Sequence, residues 1–197
     1  MSRPSVLLYL FGPPACGKTT LLRVFLRQWP VLQTYTQPFA HELRAAPTPD
    51  WPIHDCLVLG SSRPGPFGGT DALGQGVGQA AIAWIALRPF PRILAEGDRL
   101  AFDGFWRAAQ RAGYTLLPVL LDCPPEVLAA RRVHRATITR TSPQQAAWLA
   151  GRATKAQRLA DEWDAIRLDA TLPPADLADR LALLLGSVGR ATEAARA

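Results

Sequence analysis

The chain has 197 residues, 48% hydrophobic and 19% charged. That balance excludes a disordered polypeptide and fits one domain with a sizeable core and a small inserted lid. A net charge of +6 suits an anionic partner such as a nucleotide or nucleic acid, and suits as well a soluble enzyme rich in Arg and Ala. Cys16, Cys56 and Cys123 are odd in number and lack C-x-x-C spacing. This argues against a disulfide framework or a zinc site and fits reduced thiols in a cytoplasm.

Residues 6–11 form a continuous apolar run ended by Gly and Pro, the pattern of a strand buried on both faces of a parallel sheet. The run is too short for a signal-peptide core. A helix follows over 18–29, with Leu21, Leu22, Phe25 and Leu26 on one stripe and Pro30 as its stop. Residues 31–36 read as a second strand. The Pro- and Gly-rich stretch 37–78 reads as irregular, with a short strand at 56–59 and a loop over 60–69 whose length marks it as functional or mobile. Then come a helix at 80–87, a strand at 92–96, a helix at 102–112 and an apolar strand at 114–121. Helices at 125–135 and 143–163 precede a short strand at 166–168. A last helix, 175–185, stands behind Pro173 and Pro174, and its apolar run is far too short to span a bilayer. Strands alternating with helices predict right-handed crossovers and a parallel sheet. The expected organisation is one domain over 1–190, a basic helical lid at about 127–160 and a disordered tail over 191–197.

Gly12-Pro13-Pro14-Ala15-Cys16-Gly17-Lys18-Thr19 satisfies G-x-x-x-x-G-K-T between a strand and a helix, the context that motif demands. Glycines let the backbone wrap so that successive N–H groups meet phosphate oxygens, and the following helix adds the positive end of its dipole. Lys18 then reaches the β- and γ-phosphates of ATP, and Thr19 ligates magnesium. Cys16 reads as a small filler residue. Glu96 ends a buried strand where ligands of α/β sheets gather, and is a second candidate for the metal. Asp98 is a candidate base and Arg99 a candidate clamp; a surface turn with an incidental salt bridge fits this pair equally well.

Residues 127–160 contain no Asp or Glu but hold Arg131, Arg132, Arg135, Arg140, Arg152, Lys155 and Arg158. Such a cluster suits solvation or an anion, and lid arginines are what phosphoryl transfer needs around the moving group. Trp148, Arg152 and Lys155 share one helical face, which suits stacking on a base beside a phosphate; a core tryptophan beneath solvated charges is the alternative. His41 and His134 are isolated, and no metal role attaches to either. Asp71 lies in Gly68-Gly69-Thr70-Asp71, either a ligand-contacting loop or a plain turn. The chain contains no Asn, so the N-K-x-D signature of guanine specificity is absent.

The order of these parts resembles the thymidylate-kinase-like branch of P-loop kinases. The segment from Gly12 through Thr20 is similar to its phosphate loop, and Asp98-Arg99 to the pair after its third strand. Leu121-Asp122-Cys123-Pro124-Pro125-Glu126 with Arg131 and Arg135 is similar to its strand-to-lid segment, and Leu168-Asp169-Ala170 to its adenine turn. The resemblance implies a P-loop NTPase α/β fold: a three-layer sandwich with a parallel five-stranded sheet, helices on both faces and a helical lid. It also implies catalytic work for Lys18, Asp98, Arg99, Arg131 and Arg135, with Thr20, Asp169 and Ala170 at the nucleotide. Residues 34–50 depart from that branch, whose usual early substrate-binding arginine is missing. A narrower likeness, carried by Gly68-Gly69-Thr70-Asp71-Ala72-Leu73, by Leu94-Ala95-Glu96-Gly97-Asp98-Arg99-Leu100 and by Trp148-Leu149-Ala150-Gly151-Arg152-Ala153-Thr154-Lys155, is to bacteriophage 5-hydroxymethyluracil DNA kinases. It implies transfer of the ATP γ-phosphate to a hydroxymethyl group in DNA, a step toward hypermodified thymine. The alternatives are a kinase of free nucleosides or nucleoside monophosphates, and an ATP-binding nucleic-acid regulator without phosphotransfer.

Overall fold

The computed structural model describes residues 5–47, 55–60, 68–139 and 144–194. In chain order its elements are β1 (Ser5–Phe11), α1 (Lys18–Phe25), β2 (Val31–Tyr35), β3 (His41–Arg44), β4 (Cys56–Leu59), a 3-10 turn at Thr70–Ala72, α2 (Val77–Ala86) and β5 (Arg92–Glu96). They continue with α3 (Asp103–Arg111), β6 (Tyr114–Asp122), α4 (Pro125–Thr139), α5 (Ala146–Glu162), β7 (Ile166–Asp169) and α6 (Pro174–Ala194).

β1 is buried along its whole length. Side chains alternate across a strand, so Val6, Leu8 and Leu10 enter one core while Leu7, Tyr9 and Phe11 enter the other. The first core is closed by Leu21, Leu22 and Phe25 of α1 and by Leu177, Leu181 and Leu185 of α6. The second is closed by α2, α3 and α5, through Ile85, Phe105, Trp106 and Leu159. Trp106 meets Tyr9 and Phe11 at ring-centroid distances of 5.4 and 5.2 Å. Burying each such ring stabilises the fold by roughly 1.5–3 kcal/mol. The molecule is therefore a three-layer sandwich with β1 at its centre.

The sheet has seven strands in the order β2-β3-β4-β5-β1-β6-β7. From β4 to β7 the pairings are parallel, whereas β3 pairs antiparallel with both β2 and β4. This corrects the expected five-stranded parallel sheet: that core is present, and a hairpin extends its edge into a mixed sheet. The stretch 37–78 looked irregular because β3 is polar. Its charges are satisfied by one local and one tertiary contact, since Arg44 donates to Glu42 Oε2 on the same strand at 2.7 Å and to the Trp29 carbonyl at 2.8 Å.

In the expected lid region, Leu128 of α4 lies in the first core, and Ala156, Leu159 and Ala160 of α5 lie in the second. Helix α6 runs on to Ala194, past the expected end at Leu185. Arg140, the expected helix start at Pro143 and most of the loop 60–69 lie outside the described residues. Among the described residues no helix is long and apolar enough to cross a membrane.

Candidate active site

The phosphate loop joins β1 to α1 through left-handed backbone at Ala15 (φ 73°) and Gly17 (φ 110°). At Gly12 a Cβ would fall 2.7 Å from the Leu121 carbonyl oxygen, so only glycine lets the loop start against β6. Lys18 is 8% exposed. Its ammonium folds into the loop and donates to the carbonyls of Gly12 at 3.0 Å and Pro13 at 3.2 Å, with Cys16 Sγ at 3.7 Å.

Register explains the next group. Leu10 of β1 pairs with Glu96 of β5, which brings that carboxylate to the root of the loop. Thr19 Oγ1 donates to Glu96 Oε1 at 2.8 Å. Glu96 is 1% exposed, and its Oε2 has no hydrogen-bond partner among the described residues. Burial pushes the Glu96 carboxyl above its ordinary value, while the Lys18 charge and the Thr19 hydroxyl oppose the rise. Main chain seals this carboxylate from one side. Gly69, at φ 56°, stands so close that a Cβ would lie 2.5 Å from the Glu96 carbonyl oxygen and 2.6 Å from its Oε1.

Asp98 follows two residues after Glu96. Its Oδ2 is paired with Arg152, and its Oδ1 with Lys155 at 2.9 Å. Lys155 also donates to the Asp98 carbonyl at 3.2 Å. The Arg152 guanidinium lies 5.2 Å from the Trp148 ring centroid, and Trp148 is 42% exposed. Burial pushes the Lys155 ammonium down to about 8, helped by the neighbouring Arg152. Asp71 Oδ1 accepts the main-chain N–H groups of Asp98 at 2.7 Å and Arg99 at 3.2 Å.

These groups open onto one cavity of about 900 Å³. Gly12, the segment from Pro14 through Thr20, Asp71, Asp98, Arg99, Arg131, Arg135, Trp148, Arg152, Lys155 and Ala170 all line it. Arg131 donates to the carbonyls of Cys16 and Ala170, both at 2.8 Å, and so ties the phosphate loop to the turn after β7. Three expected site residues stand differently. Pro13 and Asp169 line a second cavity, between α4 and α5. The Asp169 carboxylate accepts from Thr171 N and Oγ1, at 2.8 and 2.7 Å, which caps its own turn. Glu96 borders a third, small cavity beneath α1, together with Thr19 and Gly69.

Sequence reasoning missed other members. Leu172, Pro174 and Leu177 give the first cavity an apolar wall beside Ala170. Gln144 also lines it, with its buried Oε1 unpartnered among the described residues. Thr70 and Tyr9 support the Asp71 turn through a 3.0 Å hydrogen bond between their hydroxyls. The only early signal for the wall was Pro173-Pro174 before an apolar helix.

Among the described residues no three His, Cys, Asp or Glu side chains gather as a metal site. Thr19 and Glu96 therefore suit a cation whose remaining ligands come from elsewhere, as from phosphates, and the orphaned Glu96 oxygen fits that role.

The family model described as P-loop Nucleotide Kinase3 matches residues 4–170 of the chain. Among curated proteins, none matches. Among solved structures, the crystal structure of an unliganded sugar kinase from Janibacter sp. HTCC2649 is similar, with 17% identity over 94% of this chain and 99% of that chain and a TM-score of 0.49.

Proposed function

The chain belongs to the P-loop Nucleotide Kinase3 family, and from that membership we propose that it transfers the γ-phosphoryl group of ATP to a hydroxyl of a free nucleoside or nucleotide. The protein is thus a phosphotransferase, and a regulator without phosphotransfer does not fit. The observation that carries the acceptor reading is Asp98: a carboxylate on the same cavity as the phosphate loop, fixed between Arg152 and Lys155. A hydroxyl acceptor needs a proton taken from it, whereas a phosphate acceptor is already an anion.

The loop amides and the Lys18 ammonium hold the β- and γ-phosphates at the α1 N-terminus. Ala170, Leu172, Pro174 and Leu177 form an apolar surface suited to adenine. Thr19 and Glu96 would hold magnesium, directly or through water, and the bound ion offsets phosphate charge during transfer. The acceptor hydroxyl displaces a cation from Asp98, which takes the proton as the O–H bond breaks. The acceptor oxygen forms its bond to the γ-phosphorus while the bond to the β-phosphate oxygen breaks, leaving ADP. Arg152 and Lys155, released from Asp98, face the equatorial oxygens with Arg99 and Arg135, and compensate the charge spread over them.

A second acceptor reading is the hydroxymethyl group of 5-hydroxymethyluracil in DNA. Trp148 supports it: the ring is cavity-lining yet 42% exposed, with a cation across its face, as suits a base swung out of a strand. The family description, a nucleotide kinase, favours the free acceptor. The test compares label transfer from γ-labelled ATP to nucleosides, to nucleoside monophosphates and to duplex DNA containing 5-hydroxymethyluracil. Label on free nucleosides or nucleotides is the expected result, and label on DNA alone replaces it with the second reading.

A further inference from the structure

We infer that Asp71 is a positioning residue: it holds the Asp98–Arg99 turn in the geometry for proton transfer and does not itself take the proton. The inference rests on the reading of Asp98 as proton acceptor given above.

Asp71 and Asp98 line the same cavity, and residue type alone does not separate them. Their partners do. Asp71 Oδ1 is engaged by two main-chain N–H groups, those of Asp98 and Arg99, at 2.7 and 3.2 Å. Such charge-assisted bonds are directional and tie this carboxylate to the main chain of the turn. Among the described residues the Asp98 carboxylate is held by side chains, Arg152 and Lys155, which can swing away when an acceptor enters.

The Asp71 turn is itself anchored. Thr70 and Tyr9 are both fully buried, and their hydroxyls are 3.0 Å apart, so the 3-10 turn is pinned to the central strand β1. The turn touches the Asp98 segment closely. Gly97 has φ 120°, and a Cβ there would lie 2.6 Å from Thr70 Oγ1 and 3.0 Å from Asp71 Oδ1. One residue before Thr70, Gly69 packs against Glu96. A single pinned turn therefore fixes the carboxylate beside Thr19 and the carboxylate beside Lys155 relative to each other.

The experiment compares Asp71→Asn, Asp71→Ala and Asp98→Asn. An Asn at 71 keeps a carbonyl oxygen for both amides, so its kcat and the acid limb of its pH–rate profile stay close to wild type. Asp71→Ala loses about 10- to 100-fold in kcat, the scale seen when a supporting partner is removed, with KM for ATP unchanged. Asp98→Asn loses both the rate and the acid limb. An Asp71→Asn chain as inactive as Asp71→Ala, or one missing the acid limb, overturns the inference. Amide hydrogen exchange at 98 and 99 reads the same contact without activity: exchange speeds up in Asp71→Ala and not in Asp71→Asn. Unchanged exchange in Asp71→Ala also overturns it. If the wild-type chain labels no acceptor, the proposed function falls, and the exchange data still decide the positioning role.

Discussion

The two ends of the cavity are made of different material. At the ATP end the ligand-facing groups are loop main chain, short side chains and the buried Lys18, set between α1 and strand β1, where every position from Leu7 to Phe11 is at most 1% exposed. At the acceptor end they are long side chains from α5, an element whose first turns are exposed or half-buried and whose last turn enters the core. The main chain of the first end is pre-organised, and only the Lys18 ammonium exchanges its bonds to the Gly12 and Pro13 carbonyls when ATP arrives. The second is held in a resting arrangement, Arg152 and Lys155 on Asp98, that an acceptor must open. Changes at the ATP end should therefore strike kcat, and changes at the α5 end should strike kcat/KM for the acceptor.

Lys18→Ala is the strongest test of the first half. It should lower kcat by about 10²- to 10³-fold, the scale for losing one preorganised charge donor at developing charge, with the circular-dichroism spectrum unchanged. A variant with wild-type turnover would place the phosphates elsewhere. Next comes Glu96→Gln, which keeps the shape and removes the charge. Its kcat should fall by about 10- to 100-fold, with the magnesium concentration for half-maximal rate raised; an unchanged magnesium dependence would detach Glu96 from the metal.

At the other end, Arg152→Ala should lower kcat/KM for the acceptor by about tenfold, the scale of one charge-assisted contact, and leave KM for ATP alone. An equal weakening toward both substrates would erase the distinction between the ends. The smallest effect is a pH dependence. Lys155, pushed down to about 8, loses its charge as pH rises through that value, so kcat/KM should fall there. Lys155→Arg stays charged and should remove that basic limb. Unfolding is not the cause of such a fall. Between about 8 and the ordinary 10.5 the unfolded chain holds a proton that the folded chain has released, so this group's contribution to stability rises with pH across that window.

The same contrast explains what the amino-acid sequence disclosed. The phosphate loop was legible because its geometry is a main-chain demand that only fixed glycine spacing meets, as at Gly12 and Gly17. Glu96 was legible as an acid ending an apolar run. The hairpin strand β3 was not, because the partner that makes Arg44 tolerable is a main-chain carbonyl at Trp29, which no periodicity reveals. Charge patterning over α5 reports only its solvent face, and not the face that Ala156, Leu159 and Ala160 dock into the second core. The role of Asp71 was invisible for a related reason: its partners are amides 27 and 28 residues away, brought near by the β4–β5 pairing.

One assay reaches the central claim without intermediaries. The wild-type and Lys18→Ala chains are each incubated with γ-labelled ATP, magnesium and a mixture of nucleosides and nucleotides, and the products are separated. Label should move onto an acceptor with the wild-type chain and not with Lys18→Ala. Label that stays on ATP, or appears only as inorganic phosphate, would contradict the assignment of this cavity to phosphoryl transfer.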